Sequence, residues 1–398
     1  MRKIKYPFLG DKLKKDKFDN TYYCLIKNRL DETTINNLLQ KIDTTYNLKI
    51  LLTGSFLELL EMQNKIEKSK HKKDLDTFFS TLKKKQVKYV YENLQPAISG
   101  FFMEQKIDLQ SCHYCNIDFI NTFEEHYQFS SKEEFILKAP LEILALIDEI
   151  SNETAKKIIK YRLPNQGLFF IKKLLTKNIQ DKIFKWINKS AIIGSSTIDL
   201  NNMVIKKNHY TLDHVLPKNK FPFLSLSFYN LVPSCYSCNS KFKHIKEFTI
   251  DEKILSKISP TSEEFKLDEM FKFKLDFNVD EPDFEDNIRK INQIEDIKIE
   301  IENINSLEGV NEFIEIFKLK SRYEFHKKIS FDLIENRKQY PDSALDEIAK
   351  IFHDNDIYID KNTFKKQIFG KDIFEANTMN VPFEKYKKDI AKQIGLIS

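Results

Sequence analysis

Apolar residues recur at three- and four-residue spacing over most of this chain, the period of a helix with one buried face. The segments "ETTINNLLQKI" and "GSFLELLEMQNKI" show it in the first 108 residues, with "EKSKHKKD" (Glu67 to Asp74) as an exposed turn. The segment from Ile117 to Asn208 has the same helical character. So does the chain from about residue 251, where "EDIKIEIENINSLEGVNEFIEIFKLKSRYEFHKKISFDLIENRKQY" is broken near Gly309. One stretch departs from this period. "HYTLDHVLP" alternates polar and apolar residues, as a short strand does, and Pro217 ends it. "FPFLSLSFYN" supplies a turn and loop, and "SCNSKFKHIKEF" reads as the start of a helix that Ser or Asn can cap.

These patterns predict a mainly α-helical α+β protein. A helical N-terminal region (1–108) precedes a small mixed core (109–250) that carries a helical insert at about 117–207. A helical C-terminal region (251–398) follows. A length of 398 residues with 41% apolar content suits two or three units with sizeable cores. "LLTGSF" has one Gly and no following Lys, which excludes a phosphate loop.

Charge changes the picture locally. The net charge of +5 is mild over this length. Between His214 and Lys246, however, there is no Asp or Glu, while Lys218, Lys220, Lys241, Lys243 and Lys246 all fall there. The beginning, Met1 to Leu13, has no secretory apolar core, and the best apolar run, Ile50 to Met62, is short and contains Glu58 and Glu61. A cytoplasmic protein with no membrane segment is the expectation. Disulfides are then disfavoured, and paired cysteines point to metal.

Four of the five cysteines form two Cys-x-x-Cys pairs, Cys112/Cys115 and Cys235/Cys238. Each pair can turn two thiolates toward one ion, and two pairs complete a tetrahedral zinc shell. The gap of 119 residues between them is far longer than in a zinc ribbon, so an insert has to bring the pairs together. Four reduced core thiols are the alternative. Cys24 has no partner and is expected as a small buried hydrophobe. His113, His126 and His209 lie near the cysteines in sequence, where a surface or supporting role is expected. "RYEFHKKI" (Arg322 to Ile329) reads as an exposed helix face with His326 incidental.

Beside the second pair stand groups suited to phosphate chemistry. Asp213 and His214 are consecutive at the end of the expected strand, where a carboxylate can face a metal and an imidazole a water. Asn239 could offer an amide oxygen to Mg²⁺, or serve simply as a helix cap. Asn230 lies in the loop, where a buried amide can bond two backbone groups. Lys218, Lys241 and Lys243 would then face a phosphate backbone.

"CHYC", "LDHVLPK", "YNLVPSC" and "CYSCNSKFK", in that order, resemble the HNH endonuclease family and its ββα-metal fold. The resemblance covers roughly 50 residues, split by the insert. It implies that His214 is the general base, that Asp213 and Asn239 hold one catalytic Mg²⁺ or Mn²⁺, and that Asn230 fixes the loop carrying His214. Cys112, Cys115, Cys235 and Cys238 would bind a separate structural zinc. The implied activity is hydrolysis of DNA to a 5′-phosphate and a 3′-hydroxyl. A non-catalytic zinc module binding nucleic acid or protein, and an RNase with the same centre, are the rivals.

Within the insert, residues 140–175 resemble a helix–hairpin–helix unit of the competence-protein type. Glu149, Ile150 and Ser151 replace its Gly-x-Gly hairpin, which favours a helical spacer over a DNA clamp. "KQIFGKDIF" and "KYKKDIAKQIGLI" are similar to segments of HNH proteins in bacterial anti-phage systems such as Septu. That similarity would make an ATPase or other defence-system protein a candidate partner beside DNA.

Overall fold

The computed structural model describes residues 2–84, 90–144, 151–162, 167–188, 200, 202–244, 246–248, 251–277, 288–304, 306, 308–355, 357–375 and 381–397. The chain forms two compact units, Met1–Asn121 with Asn208–Ser398, and Thr122–Lys207. The N- and C-terminal stretches therefore share one unit with the cysteine pairs. Among the described residues, no helix is long and apolar enough to cross a membrane.

Among the described residues the protein is mainly helical, with three two-stranded sheets. Two of the sheets correct the sequence reading. The segment expected as a helical insert opens on strand β1 (Thr122–Tyr127) and closes on β2 (Met203–Asn208), which pair with each other. In the C-terminal region, β5 (Phe271–Phe277) pairs antiparallel with β6 (Ile297–Asn303). Phe271, Phe273 and Leu275 are buried while Lys272 and Lys274 are exposed, and Ile297 and Ile299 repeat the alternation. The helical segments on either side mask this period of two in the sequence. The open edge of β5 is covered by the helix Glu384–Gln393. Its Asp389 carboxylate accepts from Phe273 N (3.0 Å), and Gln393 both accepts from Leu275 N (2.9 Å) and donates to Phe273 O (2.6 Å).

The third sheet is the one the alternating stretch predicts. Strand β3 (Thr211–His214) pairs antiparallel with β4 (Leu231–Ser234), with Thr211 opposite Ser234 and His214 opposite Leu231. A π-helix, Ser237–Lys243, follows at once. The long loop between the strands is seated on the N-terminal helices. Phe228 packs among Phe18, Tyr22, Phe101 and Phe102. Tyr22 donates to Leu226 O (2.9 Å), Ser227 to Leu51 O (2.5 Å) and Tyr229 to Asp19 (2.9 Å). Buried aromatic area with satisfied hydroxyls is a stiff support for a loop.

The second unit has its own core, in which Phe135 meets Phe129 and Trp186. The Arg162 guanidinium donates to Ile136 O and Ala139 O, closing the helix Lys132–Lys138. Ser151 caps the helix Asn152–Tyr161 by accepting from Thr154 N. Glu149 and Ile150, the hairpin positions of the helix–hairpin–helix expectation, lie outside the described residues.

Candidate metal centre and hairpin site

The first cysteine pair sits on a tight turn. Asn116 N donates to Cys112 O (2.8 Å), and Cys112 N to Asp118 O (2.9 Å). Asn116 adopts φ +53, a left-handed conformation that Asn tolerates better than most residues. The second pair is made where β4 gives way to the π-helix. There Cys238 N donates to Cys235 Sγ (3.4 Å), and Asn239 N to Cys235 O (3.1 Å). The four sulfurs, all buried, lie within 4.8 Å of one another, with Cys115 and Cys235 4.0 Å apart. A tetrahedral Zn–S shell at about 2.3 Å has sulfur–sulfur edges of about 3.8 Å. The donor set therefore suits a metal ion such as zinc, and the insert leaves the two turns adjacent.

Around the sulfurs is a set of groups that sequence reasoning missed. Arg322 donates to Cys238 Sγ (3.3 Å), Cys115 Sγ (3.4 Å) and Asp118 (3.1 Å). Tyr323, fully buried, donates to Cys115 O (2.6 Å). "RYEFHKKI" is thus not a plain exposed face: two of its residues support the cluster, and His326 packs on Phe383. One signal was present. Lysine dominates the basic residues and only six are Arg, a residue suited to fork-shaped contacts.

The remaining expectations near the cluster resolve plainly. His113 is buried and bonds Arg2 O through Nδ1 (3.0 Å), outside the four-sulfur group. Burial holds its pKa down at about 4. His126 and His209 are exposed. Cys24 is also exposed, against the expected burial, because its helix buries Phe18, Tyr22 and Ile26 on another face.

At the far end of the hairpin, Asp213 and His214 point to different partners, as alternation requires. His214 Nε2 lies 2.9 Å from Ser225 O. A carbonyl can only accept, so Nε2 carries the proton and Nδ1 keeps its lone pair. Burial pushes the His214 pKa down to about 3, with Lys218 and Lys243 adding to the shift and the Ser225 bond opposing it. The imidazole is neutral at neutral pH. Tyr91 packs edge-on against it at 4.7 Å, and Lys218 lies 4.5 Å over the Tyr91 ring.

Asn230 shapes the same loop. Its Oδ1 accepts from Leu216 N (2.7 Å), and its Nδ2 donates to Leu216 O (3.0 Å) and Leu224 O (3.1 Å). One buried amide thereby ties both arms of the loop that carries His214 and Ser225.

Asp213 is occupied. Tyr114, between the first two cysteines, donates to its Oδ2 (2.6 Å), and the Lys243 ammonium lies 3.1 Å from Oδ1 and 2.9 Å from Oδ2. Lys243 also donates to His214 O (2.7 Å) and is only 1% exposed. Lys243 was expected on a phosphate backbone. Instead it is an internal counter-ion, because a buried carboxylate is costly without one. Lys218 and Lys241 are exposed. Asn239 is half-buried inside the π-helix, so it is not the cap, and no side chain caps that helix. A second cation on Asp213 would meet the Lys243 ammonium at close range. Asp213 and Asn239 as arranged here do not fit a catalytic Mg²⁺ or Mn²⁺.

No family model, no curated protein and no solved structure matches this chain.

Proposed function

We propose that this protein is a cytoplasmic endonuclease of the HNH kind, hydrolysing phosphodiester bonds of DNA in bacterial anti-phage defence beside an ATPase or other partner of that system. The observation that supports this reading best is the His214 imidazole. It is neutral, its tautomer is set by Ser225 O, and its loop is tied by Asn230, while the same burial keeps it a weak base until the ring is uncovered to water. Nδ1 is the atom that takes the proton from an attacking water. The resulting hydroxide bonds to phosphorus as the bond to the 3′ oxygen breaks, and that oxygen takes a proton from solvent water to leave as the 3′-hydroxyl. At the other end of the hairpin the four cysteines bring the turn of Cys112 and Cys115 against the start of the π-helix.

Catalysis at His214 requires two changes in the site. Tyr91 has to uncover the His214 ring for a substrate. A divalent cation on Asp213 would require Lys243 to give up its bonds to Asp213 and His214 O. The Asp213–Lys243 pair is also the observation that favours a second reading, a zinc-stapled module that binds nucleic acid or protein without cutting.

Cleavage of plasmid DNA and of RNA by purified protein, with Mg²⁺, Mn²⁺ or neither, separates the readings. Metal-dependent nicking that disappears in His214→Ala is expected. Cutting that survives His214→Ala sinks the assigned base. Cutting of RNA alone makes the enzyme an RNase, and no cutting of either, with one zinc per chain, favours the binding module.

A further inference from the structure

The cysteine end of the hairpin carries a pocket of about 630 Å³, within the size range of small-ligand sites. Two exposed aromatic residues lie on its wall: Phe119, just past the first cysteine turn, and Tyr236, inside the second. Each is 71% exposed. Single exposed aromatics are ordinary on protein surfaces. Two of them on one pocket, each close in sequence to a cysteine of the same cluster, offer flat faces to a flat ligand.

The polar lining suits the edge of such a ligand. Thr211, Ser237, Asn208, His209 and His326 line the pocket, together with Asp118, whose carboxylate is paired with Arg322. His326 brings two ring nitrogens, each able to bond the edge of a base. Phe383 orients that ring from one side, at 4.9 Å. Thr211 is three residues from His214 on β3, a distance of about 10 Å along a strand. Exposed Lys241 and Lys218 lie in the segment free of acidic residues that follows His214.

We propose that this pocket binds an unstacked nucleobase of single-stranded nucleic acid, held against Phe119 and Tyr236. Stacking on aromatic faces tolerates any base, and donor–acceptor edges read it weakly. The proposal takes its ligand class from the nuclease reading but needs no catalysis.

The test uses the full-length protein in calcium-containing buffer without Mg²⁺ or Mn²⁺. The probe is a single-stranded 12-mer with 2-aminopurine at its centre, compared with the same oligonucleotide made abasic and with a duplex. Anisotropy reads affinity, and quenching of 2-aminopurine reads stacking. Wild type is expected to bind the single strand and quench the probe. Phe119→Ser and Tyr236→Ser, with zinc content unchanged, are expected to lose roughly five- to a hundredfold in affinity and the quench with it. Tyr236→Phe should keep both. Equal affinity for the abasic strand, unaltered binding by both Ser variants, or no binding by wild type overturns the proposal and leaves the aromatics as a protein-docking surface. Stacking without cleavage in the plasmid assay would sink the nuclease reading alone. Cleavage without stacking would sink the pocket alone.

Discussion

The two ends of the β3–β4 hairpin handle buried charge in opposite ways. At the Thr211–Ser234 end, four thiols converge on one point, with Arg322 as a partial counter-charge. At the His214–Leu231 end, one carboxylate is met by a lysine and a tyrosine, while the neighbouring histidine is kept neutral. The first arrangement suits an ion from outside the chain. The second is complete within the chain, because Lys243 already fills the role of cation. The same short sheet thus has one end poised for a metal and one end already neutralised.

The largest break in this comparison should come from the cysteines. Structural zinc binding is worth on the order of 10–16 kcal/mol in small zinc folds. Cys115→Ser or Cys238→Ser should abolish zinc retention and lower Tm by about 10 °C or more, or leave the protein insoluble. Metal analysis beside thermal unfolding checks this, and an unchanged Tm without metal would reduce the cluster to four core thiols.

Next comes the other end. Lys243→Met leaves the Asp213 carboxylate buried without its cation and should cost about 3–5 kcal/mol. Asp213→Asn in the same chain should recover most of that loss, a non-additivity that urea unfolding of both single variants and the double will show. A cost below about 1 kcal/mol for Lys243→Met would mean that Asp213 is solvated, and open to metal after all.

A smaller effect tests the support of the cluster. Arg322→Gln should weaken zinc retention about ten- to a hundredfold, read as faster loss to a chromogenic chelator. Arg322→Lys should not restore it, because one ammonium cannot reach two sulfurs and Asp118 in a fork.

The smallest effect is protonic. His214 has a pKa near 6.5 when unfolded and about 3 when folded, so the unfolded chain binds the proton first. The stability linked to neutral His214 is complete above about pH 6.5 and is lost as pH falls toward 3. One unit below 6.5 the loss is about 1.4 kcal/mol. His214→Gln should show a shallower fall over that window than wild type, and parallel curves would mean the ring is solvent-accessible.

Much of the candidate site was legible because its signals are local. The alternation in "HYTLDHVLP" and the stop at Pro217 mark β3. The spacing of each cysteine pair reflects how far two thiolates can reach from one turn. The strands β5 and β6 escape a sequence reading although their alternation is plain in "FKFKLDF" and "IKIEIEN", because helical neighbours on both sides set the dominant period. Arg322, Tyr323 and Tyr114 carry almost no local signal. Lys243 carries a misleading one, since a lysine in a basic segment reads as solvated.

Spacing along the chain is enough to show which side chains could share an ion, roughly where the hairpin strand lies, and that the described residues are mainly helical, although β3 stops at His214, three residues short of Pro217. These depend on spacings of two to four residues, which backbone geometry converts directly into direction. Packing across the whole unit is what seats the loop of the hairpin on residues 1–108, brings Arg322 to sulfurs more than 80 residues away in sequence, and turns Lys243 inward to Asp213. The physical reason is that burial is a property of the whole packed unit. A charge's partner is whatever packing brings within about 3 Å, and no local period records it.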